Sequence, residues 1–211
     1  MIAATVQPGS TYRADTIVRR IATELAEDPL GAHWVPDPLR IEVLERVWRV
    51  HLGYAGAHGH VHVINGLDEH ALACRDLCGV AVWLPHTRWH PKPPDYRQRL
   101  AEAAGPYADQ FLGAEELLAE QRPAATHHYL VALAVCPLDE DHSLEGSLLD
   151  HHHEVLDDEG IAAYLDTTDP QFRDRCQLLG YRLHDMATLP GLSDPLWRMW
   201  RPADDRADDM T

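Results

Sequence analysis

The chain has 211 residues, 45% of them hydrophobic, so it can bury the core of a single domain. Its formal net charge is −16, and such a charge excludes a broad nucleic-acid surface, which needs cations to neutralise phosphates. No apolar run reaches the roughly 18 residues of a membrane span, and no signal peptide is recognisable. We therefore expect a cytoplasmic protein with one domain over residues 1–202 and a charged, unstructured tail over 203–211. Its arginine-rich, lysine-poor composition is typical of bacteria with GC-rich genomes.

The first half of the chain is predicted to alternate strands and helices. Residues 2–6 form a short edge strand. Apolar residues recur every four positions over 14–27, which indicates a helix, and a second helix is expected over 38–52, before a glycine. Polar and apolar side chains alternate over 58–65, as in a strand with one exposed face. The apolar segment 79–84 (GVAVWL) is predicted to be the antiparallel neighbour of that strand.

The second half continues the same alternation. A helical region over 96–121 is predicted to be divided at Gly105-Pro106. Residues 129–135 (YLVALAV) are almost all apolar, as expected for a central strand buried on both faces. A helix then ends at Gly160. It is followed by a strand, a helix and two strands over 161–166, 169–180, 181–188 and 196–201. The predicted fold class is therefore mixed α/β.

Several separated segments carry a family resemblance. Residues 127–137 (HHYLVALAVCP), 164–185 (YLDTTDPQFRDRCQLLGYRLHD) and 195–202 (PLWRMWRP) resemble motifs of the GCN5-related N-acetyltransferase (GNAT) superfamily in the same order. The arrangement is similar to that of puromycin N-acetyltransferase and its relatives. The resemblance implies the GNAT fold over residues 12–202, with a mixed, mostly antiparallel central sheet flanked by helices. It also implies transfer of an acyl group to an amine.

The resemblance implies a cofactor loop whose chemistry has changed. In the family, backbone N–H groups of a glycine-containing loop hold the pyrophosphate of acetyl-CoA at a helix N-terminus. In this chain carboxylates stand at several of the loop positions, and side chains replace the glycines. Carboxylates repel phosphates, and side chains at glycine positions block close approach of the backbone to the phosphate. We therefore expect acetyl-CoA binding to be weakened or lost. The positions that match the family's cofactor site are Val135, Glu140, Asp141, His142, Ser143, Glu145 and Gly146.

The resemblance also implies where a base and an acid would lie. His127 and His128 begin the central strand beside the expected amine, and Asp166 ends the next strand, where the family often has glutamate. The family's tyrosine acid corresponds to Cys176. A thiol can still donate a proton, but it is shorter, and a packed, unreactive cysteine is the alternative.

Aromatic residues at three positions match those that family members place around the acceptor. These are Trp34, Trp83 and Tyr129, and each is also compatible with ordinary packing. No metal site is predicted. The consecutive histidines 151–153 fan around a helix and are expected to be solvated. The four cysteines are interpreted as free thiols because the chain is expected to be cytoplasmic. Cys74 and Cys78 have a spacing that some zinc sites use, but no second close pair accompanies them.

Three functions therefore remain open. The first is a GNAT-fold N-acyltransferase for a small-molecule amine, such as a natural product or an antibiotic. The second is an enzyme of the same fold that takes its acyl group from another donor, such as an aminoacyl-tRNA or a carrier protein, or runs different chemistry in the same cleft. The third is a non-catalytic ligand-binding protein. The net charge disfavours an acidic donor, and a homodimer stays an open alternative.

Overall fold

One mixed sheet organises the computed structural model, which describes residues 6–9, 12–65, 77–87, 92–136, 142–189 and 191–204. Its strands are β1 (Val6–Pro8), β2 (His60–Asn65), β3 (Leu77–Pro85), β4 (His127–Val135), β5 (Ala162–Thr167), β6 (Arg182–Ala187) and β7 (Leu196–Arg201). Their order in the sheet is β1-β2-β3-β4-β5-β7-β6. Among these strands β4 and β5 are parallel and all other neighbours are antiparallel. The predicted mixed, mostly antiparallel sheet is confirmed.

Helices cover both faces of this sheet. They are α1 (Ala14–Glu27), α2 (Pro29–Trp34), α3 (Arg40–His58), α4 (Tyr96–Ala104), α5 (Ala108–Glu120), α6 (Ser143–Glu159) and α7 (Pro170–Leu178). One core cluster joins α1, α3, α4 and α5 to one face, and a second joins α6 and α7 to the other. Among the described residues no helix is long and apolar enough to cross a membrane.

Most predicted elements are confirmed, with differences at their ends. Helix α1 has the predicted bounds, and the division at Gly105 is present as a 3-10 turn. Helix α3 does not stop before Gly53 but continues to His58, because Ala55 packs into the core while Gly53 lies where an added Cβ would meet nothing. Helix α2 was missed in the sequence.

Some predictions concern residues outside the described part of the chain, and one prediction about the cysteines is corrected. Residues 2–5 of the predicted first strand, Cys74 and residues 205–211 of the predicted tail lie outside the described residues. Cys176 is a free, buried thiol, as predicted, and Cys78 is also buried. Cys136 is disulfide-bonded, so the prediction of a free thiol is wrong at that position.

A bulge in β4 separates that strand from β5. In the pairing of β3 with β4, Val82 lies opposite Ala132 and Trp83 opposite Leu130, so Val131 is an extra residue on β4. The parallel pairing of β4 with β5 ends at Leu130 and Leu165. Because β4 continues to Val135 without β5 beside it, a gap opens in the sheet beyond Leu130.

Imidazole side chains cluster between the sheet and α6. His152 is the centre: its Nδ1 lies 3.0 Å from His62 Nε2, and its Nε2 lies 3.0 Å from His128 Nδ1. The Trp83 ring stacks on His152 with centroids 4.3 Å apart. His152 and His153 are both buried, so the prediction of a solvated helix face is wrong for them. This chain of rings fills the space that an aliphatic core would otherwise take.

Burial makes this cluster resist protonation. It lowers the pKa of His62 to about 4 and the pKa of His128 to about 4, and neighbouring imidazoles add to both effects. Burial also lowers the pKa of His152. The unfolded chain therefore binds more protons than the folded protein below the ordinary histidine pKa, so stability is greatest above about pH 6.5 and falls as the pH falls.

We predict that His128→Asn flattens this dependence. Each buried histidine that stays neutral adds up to about 1.4 kcal/mol per pH unit to the slope of the unfolding free energy, and asparagine keeps a polar atom near His152 without titrating. Urea unfolding between about pH 6 and pH 5 measures that slope. His184→Asn, on an exposed strand, should leave it unchanged. An unaltered slope in His128→Asn would contradict the prediction.

Candidate functional site

The gap between β4 and β5 opens into a cleft of about 720 Å³. Strand residues at its floor include Tyr129 and Val131 of β4 and Asp166 of β5. Aromatic side chains from α2 to α5 form one part of its surface, here called the aromatic wall: Trp34, Trp48, Tyr54, Tyr96 and Phe111. Carboxylates from α1, α6 and the adjoining loops form another part, called the acidic wall: Glu24, Glu27, Asp28, Glu145 and Asp169.

Asp166 is the best-positioned proton acceptor at the floor of the cleft. The Tyr164 hydroxyl donates a hydrogen bond of 2.6 Å to its Oδ1, and the Tyr129 hydroxyl also hydrogen-bonds its carboxylate. Arg198 Nε lies 3.5 Å from the same oxygen. Burial raises the pKa of Asp166, and the hydrogen bond from Tyr164 and the charge of Arg198 oppose that rise. A carboxylate held this way can accept a proton from an amine in the cleft.

The buried Arg198 holds the hydroxyl of Tyr164 in place within this network. Its side chain is 2% exposed, and its Nε donates a hydrogen bond of 2.8 Å to the Tyr164 hydroxyl. Tyr164 can therefore direct its own proton only to Asp166. The strand pairing explains the arrangement, because Asp166 lies opposite Arg198 in the β5–β7 register.

The structure separates the other predicted catalytic residues from the cleft. His127 is fully buried, with Nδ1 bonded to the Ala125 carbonyl at 2.7 Å and its ring packed on His86 and Tyr164. His128 faces α6 on the opposite side of the sheet. Cys176, on the buried side of α7, packs into the core, and burial raises the pKa of its thiol. None of the three lines the cleft.

The predicted substrate-binding residues divide in the same way. Trp34 and Tyr129 both line the cleft, and the Trp34 ring lies 5.1 Å from that of Phe111. Trp83 instead packs against His152 on the other face of the sheet. The structure therefore brings Trp34 and Tyr129 together with Asp166, and it leaves Trp83 out.

At the start of α6, the predicted cofactor positions are occupied by an ion pair. Glu145 is buried, and Arg175 of α7 binds it with both arms of the guanidinium: Nε lies 2.7 Å from Oε1 and Nη2 lies 3.0 Å from Oε2. His142 begins the helix with a φ of 55°, and its Nδ1 lies 4.0 Å from Glu145. Ser143 is exposed at the first helical position.

Of the remaining cofactor positions, Val135 and Gly146 are described, and neither has a side-chain cation to offer a phosphate. The Val135 carbonyl accepts a hydrogen bond of 3.4 Å from Arg20, and an added Cβ at Gly146 would meet nothing within 4 Å. Glu140 and Asp141 lie outside the described residues.

The acidic wall extends the negative charge away from Glu145. Burial raises the pKa of Glu24; the charge of Arg20 opposes that rise, and the neighbouring carboxylates of Asp28 and Glu145 add to it. Burial likewise raises the pKa of Asp28. Arg175 is the arginine that lines this part of the described cleft, and it is already paired. Among the described residues, this part of the cleft therefore presents mainly carboxylates to a pyrophosphate.

A second polar network in the cleft was missed in the sequence. Tyr96 OH lies 2.7 Å from His51 Nδ1 and donates a hydrogen bond of 2.7 Å to Glu115 Oε1, and Lys92 Nζ lies 2.9 Å from Glu115 Oε2. One signal was available: Trp48, His51 and Tyr54 recur every three residues along α3, which places them on one helix face. Nothing in the sequence connected that face to Glu115.

Similar architectures occur among solved acetyltransferase structures. One from Corynebacterium glutamicum, described with the histone acetyltransferases, is 20% identical over 96% of this chain and 97% of its own, with a TM-score of 0.67. Arylalkylamine N-acetyltransferase 2 from Aedes aegypti is 13% identical over 95% of this chain and 99% of its own, with a TM-score of 0.58. Polyamine N-acetyltransferase from Drosophila melanogaster is 18% identical over 94% and 99%, with a TM-score of 0.54.

No protein-family model matches the sequence, and neither does any curated protein. At these identities the similarity concerns architecture. Taken with the sheet order and the gap between β4 and β5, it establishes that the chain has the fold of the GCN5-related N-acetyltransferases.

Proposed function

We propose that this protein is a GNAT-fold N-acyltransferase that acts on a small-molecule amine and binds acetyl-CoA weakly. The observation that carries the proposal is the position of Asp166. Its carboxylate lies where β4 and β5 separate, under two tyrosine hydroxyls and within a cleft that has an aromatic wall.

The cleft suits a cationic amine with an apolar body. Aromatic faces attract cations, and a desolvated cation–π contact contributes about 2 kcal/mol. The ammonium must lose a proton before its nitrogen can attack the carbonyl carbon of an acyl donor, and Asp166 is the group that accepts it. The solved arylalkylamine and polyamine N-acetyltransferases are named for amines of this kind. We take such amines, including natural-product amines, as the substrate class.

Our proposal differs from the family's chemistry in how the acyl donor is bound. A pyrophosphate beside Glu145 would face carboxylates of the acidic wall, and like charges about 4 Å apart repel by a few kcal/mol at an effective dielectric constant near 20. Arg175 cannot offset this while it is paired with Glu145. The same observation favours a second candidate, an acyl donor that is not held through a pyrophosphate.

We predict that Asp166→Asn lowers kcat/KM for amine acylation by about 10²–10⁴-fold, because asparagine cannot accept the proton. Arylalkylamines and polyamines serve as acceptors, and acylated product is followed by mass spectrometry with acetyl-CoA at millimolar concentration. In the native protein the rate should fall as the pH falls through the raised pKa of Asp166, because the protonated carboxyl is no longer a base. Asp185→Asn, an exposed carboxylate 3.8 Å from Arg198, is the matched control. Equal rates in the two variants would contradict the assignment.

We also predict that Glu145→Gln raises the affinity for acetyl-CoA at least about tenfold, a change of about 1.4 kcal/mol. The substitution removes one carboxylate and releases Arg175, and adding Arg175→Gln should abolish the gain. Calorimetric titration measures both effects, and Glu154→Gln on the exposed side of the same helix should change nothing. Micromolar binding by the native protein would show that the acidic wall does not weaken acetyl-CoA binding.

A further inference from the structure

The hydrogen-bond chain from Glu115 through Tyr96 to His51 has a defined direction. Glu115 is ion-paired with Lys92 at 2.9 Å, so its carboxylate is an acceptor only. The Tyr96 hydroxyl therefore donates its single proton to Glu115 Oε1, at 2.7 Å. His51 Nδ1, at 2.7 Å from the Tyr96 oxygen, must then be the donor in the remaining contact.

This direction fixes the tautomer of His51. Burial lowers the pKa of His51 to about 4, so the ring is neutral at physiological pH and carries one proton. That proton lies on Nδ1, which leaves Nε2 as a bare acceptor. The groups that bear on the ring are Glu115, whose charge raises its pKa, and Lys92, whose charge lowers it.

The bare nitrogen belongs to the cleft. His51 lines the cavity with 20% of its side chain exposed. Within the part of the chain that the structure describes, Nε2 has no hydrogen-bond partner and is not sealed from solvent. His51 lies beside the aromatic wall. The ring of Trp48 is 5.2 Å from that of His51, and the ring of Tyr54 is 5.9 Å from that of Tyr96.

We propose that His51 is a specificity-determining residue, whose Nε2 accepts a hydrogen bond from a hydroxyl or a second amine on the substrate, away from the reacting nitrogen. The inference rests on the proposed amine site. It narrows the substrate class to amines that carry a second hydrogen-bond donor. An ether or a methyl group at the same place would leave Nε2 desolvated without a partner, and that loss costs more than the hydrogen bond itself contributes.

The first test is the proton position, and it needs no substrate. Two-bond ¹H–¹⁵N spectra of the ring distinguish protonated from bare nitrogens, with His51→Phe used for assignment. We expect Nδ1 protonated and Nε2 bare in the native protein. In Tyr96→Phe, which removes the acceptor of the Nδ1 proton, the two tautomers should become mixed. A proton on Nε2 of the native protein would overturn the proposal.

The second test compares two matched ligands by calorimetry: tyramine, whose phenol donates a hydrogen bond, and 4-methoxyphenethylamine, whose ether cannot. We expect tyramine to bind about tenfold more tightly to the native protein. The preference should disappear in His51→Phe, which keeps the ring packing, and should persist in His184→Gln. Equal binding of the two ligands to the native protein, or no binding of tyramine at millimolar concentration, would overturn the proposal.

These outcomes are separable from a failure of the proposed function. If the preference for tyramine depends on His51 but no amine is acylated, the acceptor site stands and the acyltransferase assignment fails. If amines are acylated by an Asp166-dependent reaction with no preference for a second hydrogen-bond donor on the amine, the acyltransferase assignment stands and the role of His51 fails.

Discussion

The early end of the β4–β5 pairing is the constraint on which the site depends. Parallel strands normally hydrogen-bond along their shared length, and here the pairing stops at Leu130 because the bulge at Val131 turns β4 away. The backbone beyond that point is left facing a cavity instead of a strand. Asp166, which follows Leu165, the last paired residue of β5, lines the cavity at this gap with 7% of its side chain exposed. One extra residue in β4 thus opens the cleft beside Asp166.

The charges around the cleft show why local sequence reading was incomplete. The sequence predicted carboxylates where a pyrophosphate would lie. One of them, Glu145, is buried in the first turn of α6, and Glu140 and Asp141 lie outside the described residues. The partner of Glu145, Arg175, lies thirty positions later, on α7, so the pairing is a product of the tertiary fold. The ion pair makes the carboxylate tolerable within the protein, yet it occupies the cation that a phosphate would require. Stability and cofactor affinity therefore oppose each other at this position.

Much of the fold was predictable from periodicity and motifs, because strands and amphipathic helices are encoded locally. The face of the sheet on which each side chain of β4 lies was not predictable in this way. Strict alternation places His128, Leu130 and Ala132 on one face, but the bulge reverses the alternation, so His128 and Leu130 face α6 while Ala132 faces the helices of the cleft. His128 was placed beside the expected amine by resemblance to the family, and the resemblance did not specify which face of the strand it occupies. Of the aromatic wall, Trp34 alone was predicted from the sequence, because the members come from four helices with no shared motif.

The two acceptors in the cleft differ in a way that suits one ligand with two ends. Burial raises the pKa of Asp166, and in its carboxylate form this group attracts an ammonium and can take its proton. His51 is neutral, because burial lowers the pKa of its ring to about 4, so it cannot compete for the ammonium by charge. A diamine or hydroxylated amine can satisfy both acceptors in only one favoured orientation. That orientation sets the ammonium against Asp166, beside the gap where an acyl donor would approach, so substrate recognition and proton transfer are divided between separate groups of the same cavity.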